Sequence, residues 1–164
     1  MDQGRGILFL SDPLNAGDAM QKQIRSTNSM TLIFDENGRY LAPAQEALWR
    51  LRQKFEWICV AAEGRAACIA IALAAQLPVD RLALAVSGLF GQRKPDLPRE
   101  LLRLEGFARR NLSLVISEIL LAGVPESEVR GFQRGRNCGK LCVLEENNWA
   151  NCQNLLTAPW EQLC

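Results

Sequence analysis

Histidine is absent from all 164 residues of this sequence. Without an imidazole there is no histidine base to activate a serine or cysteine nucleophile, and no histidine ligand for a metal ion. This absence excludes the commonest machinery for hydrolysing esters and peptides. Carboxylates, thiols and backbone amides are the groups left for any chemistry.

The sequence also lacks long hydrophobic runs and an excess of charge of one sign. Its longest apolar run, Ala66 to Ala75, is too short to cross a bilayer, and we expect no secretory signal. The 19 basic and 18 acidic residues leave a net charge of +1, and the local arginine clusters alternate with carboxylates, as on solvated helix surfaces. We therefore expect a cytoplasmic protein with no nucleic-acid and no membrane partner.

The six cysteines do not form a known metal motif. Cys59 and Cys68 lie in apolar patterns, where a free thiol acts as a small hydrophobic group. The other four crowd towards the C-terminal end with a spacing unlike that of zinc ribbons: Cys138, Cys142, Cys152 and Cys164. We expect free thiols in a reducing compartment, no metal and no cofactor.

Short apolar runs alternate with helical patterns along the chain. This alternation predicts parallel βαβ units in a single α/β domain over residues 1–164, with three layers (α/β/α) and a mainly parallel sheet. Five strands are predicted, at Ile7–Leu10, Met30–Phe34, Trp57–Ala61, Leu82–Val86 and Lys140–Leu144.

Helical patterns fill most of the remaining chain. Residues 90–136 are expected to be a helical segment between the fourth and fifth strands, because two of its stretches have helical spacing and a third begins at a proline. The predicted helices start near Asp18 and cover Pro43–Phe55, Arg65–Gln76, Pro98–Arg109, Leu112–Ala122 and Pro125–Arg134.

Polar residues follow several predicted strands at their carboxyl ends, where ligands bind in sheets of this kind. The Arg65 amide would begin a helix and so could attract an anion. Turn and cap roles would explain the same residues without a ligand. The ligand-binding candidates are Ser11, Asp12, Asn15, Glu63, Gly64, Arg65, Ser87 and Asn148.

Carboxylates in the same loops form a second candidate group. They could act as acid/base pairs or as ligands of a divalent ion, and turn formation or solvation would explain them equally well. These residues are Asp12, Asp35, Glu63, Glu145 and Glu146.

The order of these pieces resembles the α/β-hydrolase fold. Residues Ile7–Gly17 are similar to the family's third strand and oxyanion loop, and Ala62–Ala66 lies where the family has Gly-x-Ser-x-Gly. Lys140–Trp149 resembles the strand and turn that end in Gly-Glu-x-Asp, whose Asp is the acid of the triad. The resemblance implies the strand order 2-1-3-4-5, in a core that lacks the family's first two strands and its last.

The same resemblance implies a degenerate catalytic triad. Gly64 stands at the nucleophile position, Asn148 at the acid position, and there is no histidine. A nucleophile elbow holds its central residue in a strained conformation, and glycine adopts positive φ without that cost. We expect an elbow that is kept for its geometry, with no catalytic residue.

Three functions remain open from the sequence. The first is a non-catalytic protein that binds a small ligand or a protein partner. The second is an esterase-like hydrolase with a non-triad active site, and the third is a flavodoxin-like binding module. An uncovered sheet edge would favour a homodimer. The strand near Lys140 to Leu144, or a C-terminal tail containing Trp149 and Trp160, could pack against the second copy, although the tail could equally fold back on its own domain.

Overall fold

The computed structural model describes residues 4–13, 27–34, 39–85, 98–110, 118–135, 139–145, 149 and 152–163. Six parallel strands form one sheet in the order β2-β1-β3-β4-β5-β6. The α/β class and the parallel sheet are confirmed, with six strands where five were expected. Their bounds are β1 Arg5–Leu10, β2 Ser29–Leu32, β3 Trp57–Glu63, β4 Arg81–Ala85, β5 Glu118–Ala122 and β6 Lys140–Leu144.

The additional strand, β5, lies where the sequence predicted the end of a helix. Its residues Ile119 to Ala122 are buried, and it pairs with β4 on one side and β6 on the other. A parallel strand covered on both faces is apolar at nearly every position, as a buried helix is, so periodicity does not separate the two. The helix predicted over Leu112–Ala122 is therefore wrong for residues 118–122, and the 90–136 segment contains a central strand.

The described helices lie close to the other predicted positions. In chain order they are α1 Leu41–Arg52, α2 Ala66–Gln76, α3 Arg99–Arg110, α4 Glu126–Gly135 and α5 Gln153–Leu156, followed by a 3-10 turn at Trp160–Gln162. The helix predicted from Asp18 lies outside the described residues. None of the described helices is long and apolar enough to cross a membrane.

Alternate residues of the strands build two cores on opposite faces of the sheet. Leu8 and Leu10 of β1 belong to a core that also contains the buried residues of α1, α2 and α3. Ile7 and Phe9 point to the other face and join a core with Trp149 of the C-terminal segment. The sheet is therefore covered on both sides, as the three-layer prediction requires.

The C-terminal tail packs against the amino ends of the strands of its own domain. The Arg81 guanidinium, at the start of β4, lies 4.8 Å from the ring centre of Trp57 and 5.7 Å from that of Trp160. It donates hydrogen bonds of 3.1 Å to the carbonyls of Leu155 and Leu156 and pairs with Glu118 of β5 at 3.0 Å. In the described residues 152–163, the tail thus folds back on the domain.

The cysteines depart from the expectation of free thiols at one position. Cys59, Cys68 and Cys152 are free and buried, whereas Cys142 of β6 is disulfide-bonded to a partner outside the described residues. The expectation of free thiols is therefore wrong for Cys142.

Candidate functional site

The turn between β3 and α2 contains the residues that resemble the nucleophile elbow of the α/β-hydrolase fold. β3 ends at Glu63 and α2 begins at Ala66. Between them Gly64 has φ of +58°, which glycine adopts without steric cost. Its N–H donates a 2.9 Å hydrogen bond to the carbonyl of Ala85, at the end of β4. The tight strand-to-helix turn predicted for this segment is therefore present.

Small side chains let α2 approach the sheet behind this turn. Ala62 and Ala66 flank the elbow and are completely buried, and the residues of α2 from Ala67 to Leu73 are buried as well. The helix is apolar on every side over Ala66–Leu73 and lies between α1 and α3. A helix that is apolar all round requires such burial.

Asp12, just after β1, lies directly against Gly64. A Cβ atom built on Gly64 would stand 2.7 Å from the Cγ and 3.2 Å from the Cβ of Asp12, and closer still to the carboxylate oxygen Oδ2. The Asp12 side chain thus takes up the space into which a side chain at position 64 would project. This is the space that a nucleophile would occupy in the corresponding elbow.

Glu63 uses its carboxylate to hold the segment that follows β6. Its Oε1 accepts a 2.8 Å hydrogen bond from the backbone N–H of Trp149. The indole N–H of Trp149 in turn donates to the carbonyl of Ala62 at 3.1 Å. Trp149 is fully buried, so these contacts fix the end of β3 against the C-terminal segment.

The Arg65 side chain points towards α3. Its guanidinium forms an ion pair and hydrogen bond with the carboxylate of Glu105, and the two side chains are only 12% and 5% exposed. The arginine charge is therefore compensated inside the protein. Only its backbone, at the start of α2, remains as the predicted anion-attracting group.

Ser11 has a structural role that is visible in its hydrogen bonds. Its hydroxyl donates a 2.7 Å bond to the carbonyl of Leu32, and its amide donates to the same oxygen at 3.1 Å. The residue is buried. It joins the carboxyl ends of β1 and β2, in agreement with the turn role that the sequence left open.

The structure brings together five of the predicted ligand-binding residues, namely Ser11, Asp12, Glu63, Gly64 and Arg65, at the ends of β1 and β3. The other three lie outside the described residues: Asn15, Ser87 and Asn148. Of the predicted carboxylates, Asp12 lies against Gly64 and Glu63 binds the Trp149 amide, while Glu145 is exposed after β6. Asp35 and Glu146 are outside the described part.

Glu105 is a residue of this region that the sequence analysis missed. It lies on the apolar stripe of α3 with Leu101, Leu104 and Ala108, and a carboxylate in such a stripe indicates a buried partner. Trp149 ends the Lys140–Trp149 segment that resembles a strand and turn of the triad, but no local pattern predicts its contact with β3.

The thiols of Cys59 and Cys68 are not suited to nucleophilic chemistry. Burial raises the pKa of Cys59 from 9.0 to about 12, the nearby Arg81 opposing this only in part. Burial, together with the charge of Glu105, also raises the pKa of Cys68. A thiol with a raised pKa forms little of the reactive thiolate at neutral pH. Within the described residues, no group of three or more cysteines and carboxylates could hold a metal ion.

The sequence matches no protein-family model and no curated protein, but solved structures match most of the chain. A structure from work on the metagenome-derived lipolytic enzymes LipS and LipT has a TM-score of 0.64 at 11% identity, covering 88% of this chain and 84% of that chain. An N-formylmaleamic acid deformylase from Pseudomonas putida S16 has a TM-score of 0.55 at 13% identity, covering 94% and 90%. MenH from S. aureus has a TM-score of 0.53 at 11% identity, covering 94% and 91%.

This chain has the α/β-hydrolase fold. The structural similarity supports the resemblance derived from the order of the sequence elements, and it favours this fold over a flavodoxin-like module. At these identities the similarity establishes the fold and leaves the activity to the residues of the site.

Proposed function

We propose that this chain is a non-catalytic α/β-hydrolase-like protein that acts by binding a small ligand or a protein partner. The observation that carries the proposal is Gly64, which makes the elbow at φ +58° without offering a nucleophile. A serine there would need the strained conformation that glycine adopts freely. The geometry of the elbow is retained, while the group that would react is missing.

The sixth strand changes which residue of the chain corresponds to the acid of the triad. The resemblance places the acid at Asn148, after the family's next-to-last strand. With β5 present, that place falls after β5, where α4 begins at Glu126, which is exposed and forms an ion pair with Arg130 at 2.9 Å. Asn148 then belongs to the segment in which the family has its histidine. Either assignment leaves the chain without an imidazole base, which supports a non-catalytic role.

The hydrogen bonds at the site support the same conclusion. Ser11 and Glu63 bond to groups of the chain itself, and Arg65 is paired with Glu105. Ser11 joins β1 to β2, Glu63 joins β3 to the C-terminal segment, and Arg65 joins the elbow to α3. Each of these side chains therefore already holds parts of the fold in position. The small-ligand form of the proposal places the ligand beyond the carboxyl ends of β1 and β3.

The protein-partner form places a second copy of the chain against β6, the strand over Lys140–Leu144. In the described part of the sheet, β6 is a terminal strand next to β5, and its Val143 side chain is 48% exposed. Edge strands of this kind can add a strand from another molecule. The tail is the weaker route to a dimer, because its described residues pack on their own domain.

A cytoplasmic location also stays a proposal. The disulfide at Cys142 provides a direct test of it, since the free thiols can be counted in protein isolated without reductant.

Amide chemical shifts test the small-ligand form. A library of small acids, esters and amines would be titrated into the labelled chain, and we expect a binder to move the amide signals of Asp12, Gly64 and Arg65 together. The Gly106→Ala variant, changed within α3 and away from the elbow, should respond in the same way. Binding that moves only signals elsewhere in the chain would contradict a ligand site at the elbow.

A further inference from the structure

A Cβ atom on Gly64 would meet its neighbour, Asp12, more closely than a Cβ atom on Gly4, Gly6 or Gly106 would meet any atom. A Cβ on Gly106 would have its nearest contact 3.5 Å away, at the flexible Nη1 of Arg110, and a Cβ on Gly4 would contact nothing within 4 Å. On Gly6 it would meet the Phe55 ring at 2.6 Å. Among these four glycines, Gly64 is the one with a carboxylate in the space of its missing side chain.

A change of rotamer in Asp12 would relieve only part of the overlap with a side chain at position 64. Rotation about its bonds would move Cγ and the two oxygens, but the Asp12 Cβ is fixed by the backbone and stands 3.2 Å from the position a Cβ of residue 64 would take. The carboxylate lies nearer than this. A side chain at position 64 would therefore have to displace the Asp12 carboxylate, and the two Cβ atoms would remain in tight contact.

We infer that Asp12 closes the elbow: in the present arrangement its carboxylate and a side chain at position 64 exclude each other, so Asp12 occupies the place where a nucleophile would stand. Substituting serine for Gly64 alone would then not recreate an open elbow, because the space for the serine side chain is already taken. This inference concerns the folded state and goes beyond the proposed function, since it holds whether or not a ligand or partner binds.

A double-mutant cycle tests the inference. Gly64→Ala would be measured by urea denaturation in the natural chain and in the Asp12→Ala variant. The cost of positive φ is common to both backgrounds and cancels, so the difference between them reports on the Asp12 contact. We expect Gly64→Ala to reduce the folding equilibrium constant about tenfold more in the natural chain than in Asp12→Ala.

Two comparisons make the result specific. Gly106→Ala should have the same effect in both backgrounds, because its site does not touch Asp12. Asp12→Asn keeps the size of the side chain and removes its charge, so it should retain the coupling if the exclusion is steric. An equal cost of Gly64→Ala in the natural and Asp12→Ala backgrounds would overturn the inference.

Loss of folding is also informative in this design. If Gly64→Ala fails to fold alone but folds together with Asp12→Ala, the exclusion is supported. If neither form folds, backbone strain alone excludes a side chain and the role given to Asp12 is wrong. Neither outcome depends on activity or ligand binding. This test can therefore fail while the proposed function stands, and the proposed function can fail while this inference stands.

Discussion

Trp149 donates its backbone N–H to the Glu63 carboxylate at 2.8 Å and its indole N–H to the Ala62 carbonyl at 3.1 Å. Two consecutive residues at the end of β3 are thus bonded to one buried tryptophan from the segment after β6. The sequence separates these partners by more than half of the chain. The contact joins the elbow to the C-terminal segment and makes Trp149 a positioning residue for the site.

Trp149→Phe should destabilise the protein by about 1–3 kcal/mol, because it removes the indole hydrogen bond and part of a buried contact surface. Urea denaturation followed by circular dichroism measures this free energy. Trp49→Phe is the matched control, since Trp49 is 63% exposed and its replacement should change stability by less than about 0.5 kcal/mol. Equal effects of the two substitutions would contradict the role given to Trp149.

The buried ion pair of Arg81 and Glu118 gives a second prediction. Arg81 is completely buried and Glu118 nearly so, so Arg81→Met should cost about 3–5 kcal/mol by leaving a poorly solvated carboxylate without its partner. Replacing both residues, with Glu118→Leu added, should recover part of that loss. Arg130→Met, which breaks an exposed pair, should cost at most about 1 kcal/mol. A double variant no more stable than Arg81→Met would show that the uncompensated charge is not the cause.

The buried thiols predict a loss of stability at alkaline pH. The pKa of Cys59 rises from 9.0 to about 12 on folding, and that of Cys68 is raised by burial as well. Because the folded form holds these protons more tightly, their contribution is complete below pH 9 and is lost as the pH rises from about 9 through 12. Each thiol should lower the free energy of unfolding by about 1.4 kcal/mol per pH unit in that window.

Urea denaturation at a series of pH values measures this dependence. The Cys59→Ala and Cys68→Ala double variant should lose stability less steeply than the natural chain above the unfolded thiol pKa, while the two curves run parallel below it. Identical slopes throughout would show that these thiols do not hold their protons as the structure requires.

The proposed dimer edge predicts different effects at two exposed apolar side chains. Val143→Lys places a charge on β6, at a side chain that is 48% exposed, and charged edge residues oppose strand pairing between molecules. Light scattering over a concentration range should show the natural chain dimerising and this variant remaining monomeric. Trp49→Lys changes a side chain of α1 that is 63% exposed and should leave the dimer intact. A natural chain that stays monomeric, or a dimer lost only in Trp49→Lys, would contradict the β6 interface.

Much of the fold followed from local patterns in the sequence. The amphipathic spacing of Ala44, Ala47, Leu48 and Leu51 predicted α1, and those residues are buried in the structure. The apolar run before Gly64 and the alanines after it predicted β3, the turn and α2. β5 was missed because a strand in the middle of a parallel sheet shows neither alternation nor helical period, and its pairing with β4 and β6 is a property of the whole fold.

The candidate site could be located but not built from the sequence. The order of elements placed Asp12, Glu63 and Gly64 near one another, since the carboxyl ends of parallel strands share one edge. The partners of the side chains depend on packing between distant segments. The pairing of Arg65 with Glu105 therefore emerged only from the structure, although the position of Glu105 in the apolar stripe of α3 was a usable signal.

Turnover of acyl esters tests the central claim, which is that the elbow is retained without its chemistry. Purified natural chain would be assayed with esters of several chain lengths beside Asp12→Asn, Glu63→Gln and Glu145→Gln, which keep the size of each side chain and remove its charge. We predict no hydrolysis above the protein-free rate for any of the four proteins. Hydrolysis by the natural chain that is lost in Asp12→Asn or Glu63→Gln would contradict this account and establish an active site built on carboxylates.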